Sequence, residues 1–174
     1  KPGHPLFFNG FGKIAKQVLA SGFDYISYTA PVGDLSLLTR NIPAQNLLPH
    51  SIHLSMADKT TLPLPILKNL KSQCVATAAP FLAEHIGILN PTENGPSLGY
   101  LLAPPLNKRA AATVAMNAQK LQTFVGVPIA LENPVIYSWT GSFARFIRNL
   151  GAQMPEGSGW IIDLAHLKVA AFNT

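Results

Sequence analysis

Short apolar runs alternate with amphipathic helical stretches along most of this chain, and that alternation limits its fold more than any other feature. Strands separated by helices imply βαβ units and a mainly parallel sheet. Strands of such a sheet are covered on both faces, so they read as unbroken apolar runs, as residues 127–131 do. Residues 5–8, 23–29, 48–56, 81–89, 128–131 and 160–162 give about six expected strands. Between them, Phe11, Ile14, Val18 and Leu19 mark a helix face that ends at Ser21-Gly22, and a helix is expected over residues 65–73. The clearest helix covers residues 106–125. Val114, Ala118, Leu121 and Val125 line one side of it, and Gly126 is placed to close it. Phe143, Phe146, Ile147 and Leu150 mark another, and residues 90–99 read as a loop rich in Asn, Pro and Gly. The alternation alone does not separate a (β/α) barrel from a doubly wound sheet.

A chain of 174 residues suits one domain with a sizeable core, so residues 1–174 are expected to form a single unit. Charged residues are only 12%, against roughly 25% in ordinary soluble domains. A partner, an oligomer interface or further chain over an open face would account for so little polar covering. The net charge of +5 comes from 13 dispersed Lys and Arg, with no basic stripe interleaved with aromatics, so nucleic acid is not an expected partner. Cys74 is the only cysteine, which excludes an internal disulfide and a zinc–thiolate cluster. No run reaches the roughly 18 apolar residues of a membrane span. The first residues also lack a signal-peptide layout, so a cytoplasmic protein is expected.

Functional groups of parallel α/β folds gather at the C-terminal ends of strands. Glu84 and His85 interrupt one apolar run here, Glu132 ends another, and Asp163 and His166 end a third. His50 and His53 lie within the run 48–56. A buried carboxylate or imidazole costs several kcal/mol unless it is paired or bound to a cation. Singly, each has a plainer reading: a strand-end Glu as a hydrogen-bond acceptor, His53 as a core histidine. Three consecutive strand ends bearing Glu/His, Glu and Asp/His point instead to one shared metal site, with His4 a weaker candidate. Imidazole and carboxylate donors without thiolate suit iron, manganese or zinc better than calcium or magnesium. Gly10-Phe-Gly12 lacks the last glycine of a dinucleotide fingerprint, and no Walker, H-E-x-x-H or G-x-S-x-G motif occurs. Cys74 falls just past an expected helix end, where packing is a better role than nucleophile.

The order His50-Ser-Ile-His53-Leu-Ser55, Ala83-Glu-His85, Leu131-Glu-Asn-Pro134 and Ile162-Asp-Leu-Ala-His166 resembles the DUF692 proteins. These are the multinuclear non-haem iron-dependent oxidases that include the methanobactin biosynthesis enzyme. Gly99-Tyr-Leu-Leu-Ala-Pro-Pro105 and Val169-Ala-Ala-Phe-Asn173 support the likeness, which runs from about Phe23 onward. It implies a TIM-barrel-like fold with two or three iron ions, using dioxygen to modify a precursor peptide, often at cysteine, commonly beside a partner protein that presents the peptide. By position it implies His50, His85, Glu132, Asp163 and His166 as metal ligands, with Glu132 able to bridge. Ala83 stands where the family usually has serine, and the segment around Ser27, Thr29 and Pro31 lacks the usual E-x-H-x-E residues. A complete barrel needs about 250 residues, so the family's later histidine, D-x-H and glutamate ligands are expected beyond Thr174. Two other readings stand beside this one: a sugar-isomerase or endonuclease-like divalent-metal barrel, and a shortened, non-catalytic homologue serving as a subunit of a larger complex.

Overall fold

A computed structural model describes residues 5–59, 61–89, 98–136 and 141–172, with residues 5–11 described by their backbone alone. Among the described residues the first element is helix α1 (Pro5–Ala20), followed by strand β1 (Ile26–Ala30) and a short helix α2 (Ser36–Thr39). Strand β2 (Leu47–Ser51), helix α3 (Leu64–Ala76) and strand β3 (Leu82–His85) come next. Helix α4 (Lys108–Val125), strand β4 (Ile129–Glu132), helix α5 (Phe143–Gly151), strand β5 (Gly159–Ile161) and helix α6 (Leu164–Phe172) complete the order.

The five strands of the described residues form one sheet in the order β1-β2-β3-β4-β5, and each neighbouring pair is parallel. Doubly wound sheets reverse their strand order at a switch point. This sheet never reverses, and right-handed crossovers then lay their helices along one side. That is the winding of a (β/α) barrel, which the strand pattern alone left undecided.

Five of the expected strands are present; β1, β2 and β3 are shorter than the apolar runs that announced them, while β4 and β5 keep the expected length shifted by one residue. The expected strand at residues 5–8 is instead the first turn of α1. A four-residue apolar run is ambiguous between strand and helix. Here Pro5 opens the element, where a missing N–H costs nothing, and Phe7, Phe11, Ile14 and Val18 continue at helical spacing. Residues 163–166 form another departure, because the chain leaves β5 at Ile161 and α6 begins at Leu164. The loop expected over residues 90–99 lies outside the described residues up to position 97.

The core lies between sheet and helices. Leu47, Leu82, Ile129 and Leu131 on the strands are fully buried, as are Leu70 of α3, Val114 and Leu121 of α4 and Phe146 of α5. Each such aliphatic side chain contributes about 1.5–3 kcal/mol of burial. Ala110, Ala111, Ala115 and Ala118 give α4 a flat face that packs closely against its neighbours. The helix is bounded as its sequence predicts. The Asn107 side chain accepts the Ala110 N–H at 2.9 Å, and Gly126 takes the left-handed conformation (φ 84°) that favours glycine. Cys74 lies inside α3 rather than past its end, and it is buried. Among the described residues, no helix is long and apolar enough to cross a membrane.

Candidate metal centre

Strand register decides which polar residues meet. Thr29 pairs with His50, His50 with Ala83, and His85 with Glu132, which pairs in turn with Ile161. In-register neighbours share a sheet face, and so do residues two apart on one strand. His50, His85 and Glu132 therefore project from one face at the C-terminal edge. The opposite face carries Tyr28, Ser51, Glu84 and Leu131. It is the helix side, since the Tyr28 hydroxyl donates to Gln73 Oε1 of α3 at 3.2 Å. Glu84 is thus separated from its sequence neighbour His85 by the sheet itself.

Glu132 is the centre of the cluster and only 4% exposed. Its Oε2 lies 3.0 Å from His50 Nε2, and its Oε1 lies 3.5 Å from His85 Nδ1 and 3.3 Å from His166 Nδ1. The His50 and His85 rings stack at 4.6 Å, which small Ala83 beside His50 permits. His166 stands on the first turn of α6, and Asp163 caps that turn: its Oδ1 accepts the N–H groups of Ala165 (2.7 Å) and His166 (3.0 Å). Asp163 Oδ2 remains 3.6 Å from His166 Nε2. His50, His85 and Glu132 form one group whose donor atoms lie within 4.8 Å of one another, and Glu132, Asp163 and His166 form a second. The five residues singled out from the sequence therefore converge, and Glu132 belongs to both groups.

The electrostatics follow from crowding. Burial pushes the Glu132 carboxyl up, but its contact with His50 and the imidazoles of His85, His50 and His166 outweigh that and hold it below the ordinary range. Burial lowers His85, and the neighbouring His50 and His166 lower it further against the pull of Glu132. The hydrogen bond from the His166 N–H lowers Asp163. Glu84 is different: it is fully buried, and burial raises its carboxyl well above the usual range against hydrogen bonds from Ser51 and the His85 N–H.

Mixed imidazole and carboxylate donors around bonds of about 2.0–2.2 Å leave ligand atoms roughly 3.0–3.4 Å apart. The separations of 3.0 Å for His50 and 3.5 Å for His85 from Glu132, and of 3.6 Å between His166 Nε2 and Asp163 Oδ2, are close to those edges. His50 Nε2 is buried, with Glu132 Oε2 at 3.0 Å and no well-formed hydrogen bond. A buried ring nitrogen left this way is what a cation would satisfy. His53 joins neither group, and Cys74 is remote from both by its place on α3. His4 lies outside the described residues. A pocket of about 230 Å³ opens beside His85 and His166, walled by Ile86, Leu101, Pro134 and Val135 among others.

Residues 28–174, more than four-fifths of the chain, match the family described as RiPP precursor modification enzyme MbnB/TglH/ChrH. The chain belongs to this family. Among curated proteins, none matches its sequence. In fold the family member is similar to a protein described as a sugar phosphate isomerase/epimerase from Anabaena variabilis, at TM-score 0.55 and 14% identity. That likeness covers 97% of this chain and 61% of the other. It is also similar to the IolI protein solved with a zinc atom, at TM-score 0.50 and 13% identity, covering 88% of this chain and 58% of that one. The chain thus spans about three-fifths of the length of these structures. At such identities the likeness speaks for the TIM-barrel-type fold alone.

Asn133 was legible only as part of a motif, and no role for it followed from the sequence. The one available signal was its place directly after a strand-end glutamate.

Proposed function

We propose that this family member is an iron-dependent oxidase-type protein that modifies a ribosomally made precursor peptide, with two metal positions sharing Glu132. The observation that carries this reading is the membership of one buried carboxylate in both donor sets. Oε2 faces His50, while Oε1 faces His85 and His166. One position would be held by His50, His85 and Glu132, the other by Glu132, Asp163 and His166. Iron bound there would supply the electrons for chemistry with dioxygen, the co-substrate, at coordination positions the protein leaves open.

The chain's own residues have definite tasks in this scheme. The low proton affinity of Glu132 favours the anionic form that would hold cations at both positions. Asp163 is held by two main-chain N–H groups, which fixes one oxygen and leaves the other for the metal. The largely apolar pocket beside His85 and His166 would seat a side chain of the peptide and keep water from the centre. We read residues 1–174 as one TIM-barrel-type unit in the cytoplasm, where a lone buried Cys74 stays reduced. A peptide-presenting partner protein and an oligomer are further parts of this reading.

The test is metal analysis after anaerobic purification, followed by mass spectrometry of a precursor peptide incubated with the iron-loaded protein and oxygen. Iron above one equivalent per chain and an oxidised peptide are expected. Stoichiometric zinc with no iron uptake would overturn the reading in favour of a hydrolase or isomerase-type centre.

A further inference from the structure

Asn133 is 1% exposed and follows Glu132 at the end of β4. Its side-chain Oδ1 accepts the Asp163 N–H at 2.7 Å, and its Nδ2 donates to the Asp163 carbonyl at 3.2 Å. Its own N–H donates to the Ile161 carbonyl at 3.3 Å. Its carbonyl oxygen lies 2.8 Å from His166 Nδ1. The residue that follows β4 therefore clasps Ile161, Asp163 and His166, around the turn from β5 into α6, through four contacts.

The last contact has a chemical consequence. A carbonyl oxygen only accepts, so Nδ1 of His166 must carry the hydrogen. Glu132 Oε1, at 3.3 Å from the same nitrogen, is also an acceptor and favours the same assignment. In the neutral ring the lone pair then sits on Nε2, the nitrogen 3.6 Å from Asp163 Oδ2. Asp163 has its Oδ1 occupied by the Ala165 and His166 N–H groups, so Oδ2 is its free oxygen. The two uncommitted donor atoms of the turn face each other.

We infer that Asn133, though no ligand itself, is the positioning residue of the Asp163/His166 metal position: its side chain holds Asp163 in place, and its main-chain carbonyl selects the His166 tautomer whose Nε2 is open to a cation. This rests on the metal reading above. It goes beyond that reading by assigning the ligand nitrogen of His166 and the residue that determines it. Hydrogen-bond partners of metal-binding histidines and carboxylates typically influence affinity by about 10- to 100-fold. Removal of the Asn133 side chain would act on one metal position, because His50 and His85 stand on β2 and β3, away from the turn it clasps.

The experiment pairs two measurements on the chain. Long-range proton–nitrogen NMR of ¹⁵N-histidine-labelled, metal-free protein reports the tautomer of His166. Anaerobic titration with Co(II), read by visible absorption and equilibrium dialysis, reports each equivalent bound. We expect His166 as the Nδ1–H tautomer in the unsubstituted chain. Asn133→Ala keeps the main-chain carbonyl, so it should leave His166 as Nδ1–H while weakening the second Co(II) equivalent by about 10- to 100-fold with the first little changed. Asn133→Asp, which keeps the acceptor for the Asp163 N–H, should recover most of that loss. An Nε2–H tautomer in the unsubstituted chain, or equal weakening of both equivalents by Asn133→Ala, overturns the inference. Should Asn133→Ala fail to fold, the tautomer in the unsubstituted chain decides. If that chain binds no Co(II), the metal reading fails, and the NMR result still decides whether Asn133 sets the tautomer.

Discussion

Substituting Glu132→Gln asks whether one carboxylate serves two metals. The change keeps shape and removes a charge from a residue that is 4% exposed, where solvent screening is weak. Three imidazole nitrogens lie 3.0, 3.5 and 3.3 Å from its oxygens, so it is the carboxylate that all three histidines share. Removing one partner of a buried charge pair costs about 3–5 kcal/mol. At about 1.4 kcal/mol per tenfold change, that is a loss of affinity between about 10²-fold and several thousand-fold. The loss should fall on both equivalents together. His50→Ala, by contrast, should weaken one equivalent, and His166→Ala the other. The assay is anaerobic titration with Fe(II) or Co(II), followed by dialysis and elemental analysis, with thermal unfolding of each metal-free variant as a check on folding. A Glu132→Gln protein that loses only one equivalent, or neither, refutes the shared-carboxylate arrangement.

Other expectations concern the protein without metal. Glu84 is buried with its carboxyl raised, so the folded chain keeps a proton that the unfolded chain has released. Stability should therefore fall as pH rises from the unfolded value of about 4.5 toward the folded one, by at most about 1.4 kcal/mol per pH unit. Glu84→Gln should remove that component, and denaturant titrations from pH 5 to 8 that run parallel for the two proteins would contradict it. His85 titrates in the opposite sense. Burial lowers it below the ordinary 6.5, so its contribution is present at neutral pH and is lost as pH falls below that value; His85→Ala should flatten the acid limb of the same titration. Burial pushes the Cys74 thiol up to about 11, leaving roughly one part in a thousand as thiolate at pH 8. A thiol reagent should label Cys74 only when the chain unfolds, and rapid labelling of the folded protein would show the α3 packing to be wrong. Asn107→Ala removes the α4 N-cap and should cost about 1 kcal/mol, a drop in Tm of about 2–4 °C by calorimetry.

Local chemistry was enough for much of this. The 3.6-residue spacing of Val114, Ala118, Leu121 and Val125 and the glycine at 126 place α4 without reference to any neighbour, because periodicity and a left-handed cap are properties of the segment. The unbroken apolar runs likewise announce buried parallel strands, and the polar residues that end them announce a site. Where local signals were ambiguous, the packing decided. Residues 5–8 fit strand or helix equally well as a short apolar run, and they are helix. The runs at 48–56 and 81–89 shrink to the segments that find partners across the sheet.

The grouping of the site belongs wholly to tertiary structure. Residue spacing cannot tell that Glu84 faces the helices while adjacent His85 faces Glu132, since that depends on which sheet face each neighbour occupies. Nor does D-x-x-H by itself show that Asp163 caps a helix, or that Asn133 reaches across from another strand to hold it. Strand order and register are long-range choices, made by burial of the whole sheet against its helices. The sequence by itself determined which residues could bind a cation and at which strand ends they stand. Only the fold determined that the two donor sets meet on one carboxylate.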